Sequence, residues 1–455
     1  MSVGGTAGDF TLDLKIKVKN GDDEKEHVIP GNKISVLSYT EGLACPTVEC
    51  NFALVDTSSD SLMSKLPIKG GEDVELTVKT ADDEEFSMNL TVYGIVANMA
   101  GGSQEQDKQV NILKCMSREG MRNLATRVEK LYKETNPVDI VKDILTEKLN
   151  SGQDINTGLD GEVLTVAAMR DRPFDFISRI VCRKSIPTVV SAKGAGVGTA
   201  GYLFWQTSKG YHFYAMDELM GAGSAGGEAA PTNSAIEGEG SVDTYYFNVV
   251  SAADDTSAKD ERRIVQKLNI LSNNDVEEQL YRGTRSNLIG FFDISSMRYK
   301  EEVYTLSDGN FETMGHLADS DGENKGLEDI WNNPTRVMTR IISNEMYESS
   351  SDKAQEDKYD KIRQSLAQQI VRADLFGNQR LEINIPGNAK LHAGDKIILQ
   401  IYKSVSDPST AEEDRIDKKQ SGYYLIGRVA HTLQGNTATT HLLLMRDQHN
   451  EVTDD

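Results

Sequence analysis

The chain has 455 residues, of which 38% are hydrophobic and 26% charged, and its 49 Lys and Arg residues against 71 Asp and Glu residues give a formal charge of -22. This length exceeds what one hydrophobic core supports and predicts two to four domains, at about 100 to 200 residues each. The sequence holds no run of about 18 apolar residues, which excludes a membrane-spanning helix. The acidic balance argues against sequence-specific DNA binding, because phosphate contacts require clustered Lys and Arg.

Residues 9–96 carry the pattern of a β-sheet. Apolar residues alternate with charged ones over residues 10–18, the period that gives a strand one buried face. Two further alternating runs flank an acidic turn at 81–85 and predict a hairpin. We therefore place a first β-domain at residues 1–115. The opening sequence MSVGGTAGDF lacks the basic and apolar regions of a secretory signal, so export by that route is not expected.

Four cysteines, Cys45, Cys50, Cys115 and Cys182, lie within or beside apolar runs. Their spacing fits neither a zinc site nor a redox CxxC motif. We expect all four to be small buried hydrophobic residues of a protein kept in a reducing compartment.

The hydrophobic period changes from two to 3.6 at Met116. Residues 121–132 place apolar side chains at helical spacing and predict one amphipathic helix. A second helix begins at Asn136-Pro137, since proline is favoured at the first helical position. A third helix begins at Pro173.

A hairpin rich in aromatic residues follows these helices, with strands at 202–206 and 211–216 joined by a turn at 208–210. Large side chains alternate on both faces of this hairpin, which predicts that both faces are covered, and we expect a neighbouring subunit to cover one of them. Helices and hairpin together predict a small α+β middle domain at residues 116–220.

Residues 221–241 are almost entirely Gly, Ala, Ser and Glu. Such a segment buries too little apolar surface to offset its ordering entropy, so we predict a flexible loop or linker. Residues 242–345 form a β-rich segment that we expect to be shared with the flanking β-domains, and it contains a short helix at 275–281.

The last predicted domain, residues 346–455, begins with a helix and ends as a sheet. Strands are predicted at 381–385, 397–402, 423–433 and 437–445. The helix has an apolar stripe formed by Tyr359, Ile362, Leu366 and Ile370. The last two strands are joined by Gln434-Gly435-Asn436, in which Gly and Asn supply the positive φ angles of a tight turn.

Two glycine turns hint at an internal repeat. Gly70-Gly71 and Gly394-Asp395 each precede a predicted strand, one in each terminal β-domain. A repeat of one domain type is the hypothesis that this similarity raises.

The order of these elements resembles a known family. The segments LEINIPGNAKLHAGDKIIL, YYLIGRVAHTL and HLLLM resemble the last barrel domain of the central baseplate hub of contractile-tailed bacteriophages, and DRPFDFISRIV resembles the helix before the middle-domain hairpin of the same superfamily. The resemblance implies a mainly β, α+β fold with two tail-tube-like β-barrel domains and a small α+β middle domain.

The resemblance also implies a role and partners. Such a hub is a homotrimer in the virion, assembled in the cytoplasm of the bacterial host, which joins the sixfold tail tube protein to the threefold spike protein. Baseplate wedge and tape measure proteins are further candidate partners. Two similar barrels in each of three subunits supply six near-equivalent positions. During ejection DNA passes through without specific binding, and we expect a net negative bore.

Two loops mimic ligand-binding motifs. Gly196, Gly198 and Gly201 fit GxGxxG, but a strand-like YLFWQ follows where a dinucleotide site needs a helix N-terminus, so we predict a hairpin loop. Asp319 and the acidic residues after it suggest a calcium loop, but the glycine and glutamate of an EF-hand are missing from positions 6 and 12. A peripheral cation at 319–328 is the alternative left open.

No catalytic, cofactor-binding or metal-binding residue is predicted, and we expect no enzyme. The seven histidines form no HExxH motif, and no GxSxG is present. The alternatives are a hub-associated peptidoglycan hydrolase, a type VI-like secretion spike component and a secreted carbohydrate-binding barrel protein. A spike fusion should continue into further domains, whereas this sequence ends at Asp455.

Overall fold

The computed structural model describes residues 8–20, 23–57, 66, 68–80, 84–99, 108–187, 201–220, 242–248, 261–294, 297–305, 316–317, 328–342, 367–403 and 412–447. The strands in these ranges are β1 Phe10–Asn20, β2 Asp23–Val28, β3 Ile34–Gly42, β4 Glu49–Thr57, β5 Asp73–Thr80, β6 Glu85–Met99, β7 Lys108–Ser117, β8 Val128–Thr135, β9 Ile155–Thr157, β10 Leu164–Asp171, β11 Tyr202–Thr207, β12 Gly210–Ala215, β13 Thr244–Phe247, β14 Lys267–Asn273, β15 Ser286–Asp293, β16 Arg298–Thr305, β17 Arg336–Ile342, β18 Gln379–Pro386, β19 Lys396–Ile401, β20 Gly422–Gln434 and β21 Thr437–Arg446.

Helices are fewer and shorter than strands. They cover Arg118–Ala125, Pro137–Asp143 with a π-helical continuation over Ile144–Lys148, Pro173–Phe176 continuing through Ile177–Val181 and Cys182–Lys184, Met216–Leu219, Val276–Arg282, Glu328–Trp331, residues 367–375 and Glu412–Arg415. The predicted mainly β, α+β class is therefore confirmed. The number of closed barrels stays a prediction.

Strands β1 to β7 form the N-terminal module. Its hydrogen-bonded order is β2-β1-β5-β6-β7-β4-β3, and every pairing is antiparallel. The alternation predicted for residues 10–18 places Leu14 and Ile16 fully inside the core, because successive side chains of a strand point to opposite faces.

Strands β13, β14 and β18 to β21 form the C-terminal module, which has a second core of its own. Strand β21 lies between β18 and β20, and β14 pairs with the outer edge of β18. The predicted turn between β20 and β21 is confirmed, with Gly435 at a φ of 61°. The helix predicted before β18 is described only from residue 367, and its three leading stripe residues lie outside the described ranges.

One strand pair joins the two modules. The second half of β20 pairs antiparallel with β3, with Arg428 opposite Gly42 and His431 opposite Tyr39. This pair, which we call the intermodule joint, makes one 13-stranded sheet of both modules.

The turn before β5 is closed by two reciprocal backbone hydrogen bonds. Gly71 N–H donates to Val92 O at 2.7 Å, and Val92 N–H donates to Glu72 O at 3.0 Å. Gly71 has a φ of 97°, a conformation that glycine adopts without a Cβ penalty. A bulge in β6 follows, between Val92 and Gly94.

The turn before β19 repeats this arrangement. Gly394 N–H donates to Ile426 O at 2.8 Å, and Ile426 N–H donates to Asp395 O at 2.8 Å. Gly394 has a φ of 99°, and a bulge in β20 follows between Ile426 and Arg428. The matching hydrogen bonds and bulges support the hypothesis of an internal repeat in which β4 to β7 correspond to β18 to β21.

The middle module comprises the helices between residues 118 and 184 and strands β8 to β12. The helix predicted at Asn136-Pro137 is confirmed, and the Asn136 side chain caps it by accepting from Val138 N–H at 2.9 Å. The helix predicted at Pro173 is also confirmed.

The single helix predicted over residues 121–132 is wrong in its second half. The helix ends at Ala125, and β8 begins at Val128 and pairs antiparallel with β10. Helical spacing would place Leu131 on the buried face, but Leu131 is 62% exposed. The pairing with β10, more than 25 residues further along the chain, outweighs the local pattern.

Strands β9, β11 and β12 form a small sheet whose aromatic residues are covered on both faces, as predicted. The expectation that a neighbouring subunit covers one face is wrong. The indole of Trp205 is fully buried and donates to Ala393 O at 2.9 Å, within the same chain. Leu43 and Leu425 pack in the same cluster, so both terminal modules cover this face.

Strands β15, β16 and β17 form a separate sheet, the inserted sheet, with β15 in the middle. Its inner face packs on the helix at 367–375 through Phe291, Met338 and Val371. Its other face carries Val337 and Ile341, which are both exposed.

Several predictions lie outside the described residues: the linker at 221–241, residues Gly196 and Gly198, and Asp319 with the rest of its loop up to residue 327. In the part of the chain that the structure describes, no helix is both long and apolar enough to span a bilayer.

Candidate functional site

The carboxylate of Glu41 lies where the three modules meet. It extends from β3 of the N-terminal module and is fully buried. Its Oε1 accepts from Tyr39 Oη–H at 2.8 Å and from Ser208 N–H, in the β11–β12 turn, at 2.9 Å. Its Oε2 accepts from Ala393 N–H at 3.3 Å and lies 3.2 Å from His392 Nδ1, both in the turn before β19. One side chain therefore connects all three modules.

Local geometry places each of these groups. Glu41 follows Leu37 and Tyr39 at alternate positions of β3, so it occupies the inward phase of the strand. Asp395 Oδ2 accepts from His392 N–H at 2.8 Å and closes the turn that presents the imidazole to Glu41.

The charges of this junction depend on one another. Burial by itself opposes ionisation of Glu41, but the charge and hydrogen bond of His392 outweigh it and lower the pKa of Glu41 to about 2. Burial likewise opposes protonation of His392, but Glu41 outweighs it and raises the pKa of the imidazole. Burial raises the pKa of Asp395 to about 6. The junction is therefore a buried ion pair, and its energy depends on keeping both partners.

A second buried ion cluster holds the helix at 367–375. Arg372 Nε–H donates to Asp217 Oδ1 at 3.1 Å, and Arg372 Nη1–H donates to Asp447 Oδ2 at 2.8 Å. His316 Nδ1 lies 2.6 Å from the same oxygen of Asp447. Burial opposes the charge of Asp447, but Arg372 outweighs it and lowers its pKa to about 2. The cluster connects the helix at 367–375 to the helix Met216–Leu219, which follows β12, and to the residue after β21.

The edges of β14 and of the second half of β6 have no partner strand among the described residues. Strand β14 pairs with β18 on one side only, and Ile270 and Leu271 on it are 47% and 50% exposed. Strand β6 pairs with β5 only up to Thr91, so its second half has a partner in β7 alone. Ile95 and Val96 in this half are 36% and 41% exposed. Unpaired N–H and C=O groups with exposed apolar side chains characterise an edge that accepts another strand.

Three other histidines each have a hydrogen-bonding neighbour of their own. His212 Nε2 lies 2.7 Å from Thr207 Oγ1, His431 Nδ1 lies 3.0 Å from Thr440 Oγ1, and His441 Nδ1 lies 2.7 Å from Asn384 Oδ1. Burial lowers the pKa of both His212 and His431 to about 4. In the ranges given above, no group of three or more His, Cys, Asp or Glu residues has the arrangement of a metal site.

The GxGxxG motif is described only at Gly201, and β11 begins at the next residue. The strand predicted after the motif is therefore confirmed. Cys50, Cys115 and Cys182 are buried as expected, but Cys45 is exposed. Cys45 lies in the turn after β3, where its N–H donates to Gly42 O at 2.8 Å. The prediction assumed that it belonged to a strand with one buried face, and a turn residue does not follow that alternation.

Sequence reasoning missed the role of Glu41. The sequence feature that could have revealed it is the position of Glu41 in the alternation of β3. A carboxylate at an inward-facing position of a strand requires a buried partner. Nothing local identified the partner. Arg372 was missed for a different reason, since it lies on a helix for which only the apolar stripe was considered.

Comparison with known proteins supports the fold. No protein-family model and no curated protein sequence matches the chain. Among solved structures, the tail protein from Neisseria meningitidis MC58 matches with a TM-score of 0.52 and 10% identity over 96% of this chain and 97% of that one.

Two further similar structures have lower scores. The 43 kDa tail protein of prophage MuSo2 from Shewanella oneidensis matches with a TM-score of 0.46 and 10% identity, covering 96% of this chain and 98% of its own. The E. coli c3393 protein, a type VI secretion component described as similar to the T4 tail proteins gp27 and gp5, matches with a TM-score of 0.41 and 12% identity, covering 92% and 76%.

The chain shares its fold with the tail protein from Neisseria meningitidis. At 10% identity the Neisseria match shows a shared fold over nearly the whole of both chains. The resemblance to tail hub proteins drawn from the sequence is thus confirmed at the level of the fold.

Proposed function

We propose that this protein is the structural subunit of a phage baseplate hub: a homotrimer, without catalytic activity, that joins a sixfold tail tube to a threefold spike and encloses part of the DNA passage. The observation that carries the proposal is the internal repeat together with the intermodule joint. Tail tube protein, spike protein, wedge and tape measure proteins are the proposed partners, in a virion assembled in the host cytoplasm. We retain residues 1–115, 116–220, 221–241, 242–345 and 346–455 as the proposed divisions of the chain.

The repeat allows positions of the two modules to be matched. In both modules a bulge follows the residue that is hydrogen-bonded to the glycine turn. The first residue after the bulge is Gly94 in β6 and Arg428 in β20, so these two positions correspond. Counting three residues on, Ala97 of β6 matches His431 of β20. His431 is the residue that lies opposite Tyr39 of β3 in the intermodule joint.

The partner strand can be matched in the same way. Cys115 of β7 corresponds to Leu444 of β21, because each lies opposite the residue that precedes the bulge. Cys50 lies opposite Cys115, and Leu381 lies opposite Leu444. These two positions therefore correspond as well.

The last step reaches the free edge of β14. Tyr39 lies opposite Cys50, and Ile270 lies opposite Leu381. Ile270 of β14 therefore corresponds to Tyr39 of β3. An equivalent of the intermodule joint would pair β14 of one copy with the second half of β6 of the next, with Ile270 opposite Ala97.

This pairing would satisfy both free edges and generate a closed ring. Each copy contributes the edge of β14 to one contact and the edge of β6 to another. The contact is therefore head-to-tail, and repeated contacts of this kind can close into a ring by rotation. Three copies contribute six similar modules, the number that a sixfold tube requires. The count of three comes from the family resemblance, and the bore of such a ring is proposed to be net negative.

Cysteine crosslinking tests the pairing. In a Cys45→Ser background, Ala97→Cys combined with Ile270→Cys should form disulfides between copies, since directly opposite Cβ atoms lie about 4.5 to 5.5 Å apart. We expect a covalent trimer on non-reducing gels and a threefold mass in native mass spectrometry. Ala97→Cys combined with Val337→Cys is the control, because Val337 lies on the inserted sheet, and it should remain uncrosslinked.

The crosslinking result tests the pairing of β14 with β6, and the mass measurement tests the number of copies. A threefold mass without crosslinking would mean that another surface assembles the trimer. A monomer at all concentrations, also when co-expressed with a spike protein, would refute the proposed hub.

A further inference from the structure

A cavity of about 410 Å³ lies between the middle module and the inserted sheet. Its walls come from the helix at 173–184, β11, β17 and the helix at 367–375, and much of the wall is apolar, including Leu203, Phe204, Met216 and Ile370. This volume lies in the range of small-ligand sites, about 300 to 1,000 Å³.

Three arginines line this apolar cavity. They are Arg183, Arg336 and Arg340, and Asp374 is the one carboxylate among the lining residues of the described chain. Arg336 Nη1 lies 3.2 Å from Asp374 Oδ2, so the carboxylate of Asp374 forms an ion pair with Arg336. The lining thus has a formal charge of +2 within a chain whose formal charge is -22.

The arginines also influence one another. Burial lowers the pKa of Arg340, and the charges of Arg183 and Arg336 lower it further. Like charges that share a low-dielectric site destabilise each other, and an anion placed between them relieves this repulsion. Arginine is suited to that role because its planar fork binds a carboxylate or phosphate through two parallel hydrogen bonds.

The cavity adjoins an unpaired strand edge. β17 pairs with β15 on one side and has no second partner among the described strands. Among the described residues β17 lines the cavity and β15 and β16 contribute nothing to its wall, so the cavity lies beside this edge strand. Arg336 and Arg340 are four positions apart on one strand, which puts both on one face about 13 Å apart.

We propose that this cavity binds an extended acidic peptide segment of a partner protein, which lies along the free edge of β17 with its carboxylates at Arg340 and Arg183. The strand edge supplies backbone hydrogen bonds, the mode by which sheet edges bind peptides. The apolar wall takes the side chains between the carboxylates. Nucleic acid is a poorer fit, because tracking a phosphate backbone requires a longer array of cations than these three.

The experiment uses a fluorescein-labelled peptide, Glu-Val-Thr-Ile-Glu, titrated with the full-length protein while fluorescence anisotropy is measured. We expect saturable binding that the amide peptide Gln-Val-Thr-Ile-Gln lacks. Arg340→Gln and Arg183→Gln should each weaken binding at least tenfold. The control Arg170→Gln should bind as the wild type does, because Arg170 is exposed, pairs with Glu129 and lies outside the cavity.

Each outcome bears on the proposal. Equal binding of both peptides, or unchanged binding by Arg340→Gln with an unchanged circular dichroism spectrum, would overturn it. Inorganic phosphate is tested separately, by measuring whether it raises the melting temperature. If phosphate stabilises the wild type but not Arg340→Gln, and the acidic peptide does not bind, the cavity is a phosphate site and the peptide assignment is wrong.

Discussion

Glu41 and His392 are separated by 351 positions in the sequence, yet Oε2 of the one lies 3.2 Å from Nδ1 of the other. The pair lies beside the intermodule joint and beneath the β11–β12 turn, so it fixes the middle module against both terminal modules. Rigid placement of the modules would matter for the proposed ring, because an error in their angle would prevent closure.

Replacing Glu41 by glutamine should destabilise the protein strongly. Glutamine leaves His392 without its countercharge and directs an NH₂ group at N–H donors, and breaking a buried pair in this way costs about 3 to 5 kcal/mol. Urea unfolding followed by fluorescence measures the loss, since the indole of Trp205 is bonded to Ala393 of the same junction. Trp331→Phe as the background leaves Trp205 as the sole tryptophan.

The control for this change is Glu129→Gln. The partner of Glu129 is Arg170, at 3.2 Å, and both side chains are largely exposed, so the change should cost no more than about 1 kcal/mol. Similar unfolding midpoints for the two variants would show that the junction contributes little.

The junction should make stability depend on pH in two steps above pH 4. The pKa of Asp395 is raised from 3.8 to about 6, so its contribution to stability is present below pH 3.8 and is lost as the pH rises to about 6. The pKa of His392 is raised above 6.5, so its contribution is complete below pH 6.5 and is lost as the pH rises through the folded-state value. Glu41 acts oppositely, since its contribution is present above pH 4.5 and is lost as the pH falls to about 2.

Asp395→Asn separates the two steps, because asparagine keeps an oxygen that accepts from His392 N–H. Melting temperatures of the wild type and the variant between pH 4 and 9 should differ in their slope below about pH 6, while both decline at higher pH. Parallel curves over the whole range would exclude Asp395 as the titrating group.

One thiol in each chain should react with Ellman's reagent under native conditions, and four in denaturant. Cys45 is exposed while the other three cysteines are buried. The thiol of Cys45 is still partly desolvated, which raises its pKa, so its reaction should be slower than that of a free thiol, because the thiolate is the nucleophile. Cys45→Ser should abolish the native reaction, and any reaction that remains would mean that a second cysteine is accessible.

Elements set by neighbouring residues were predictable from the sequence. Strand β1 follows from its alternation, and the β20–β21 hairpin follows from Gly435, whose φ of 61° a side chain would disfavour. The segment at 128–132 was not predictable, because Val128, Leu131 and Tyr132 also fit a helix and only β10 decides between the two structures.

The candidate sites were less predictable than the fold. Burial of Glu41 follows from its strand phase, but its contacts come from two other modules. Arg183 and Arg340 lie in different modules and show no local relation, so a cavity formed between modules leaves no pattern in the sequence.

The sequence by itself determined the mainly β class, the positions of most strands and the glycine turns, because these depend on side-chain periodicity and on φ angles within a few residues. The tertiary structure alone decided that β20 pairs with β3, that the edges of β6 and β14 find no partner among the described strands and that Glu41 meets His392. The physical reason is that such contacts join distant segments. Their free energy depends on packing and desolvation in the whole fold, and no short stretch of sequence records it.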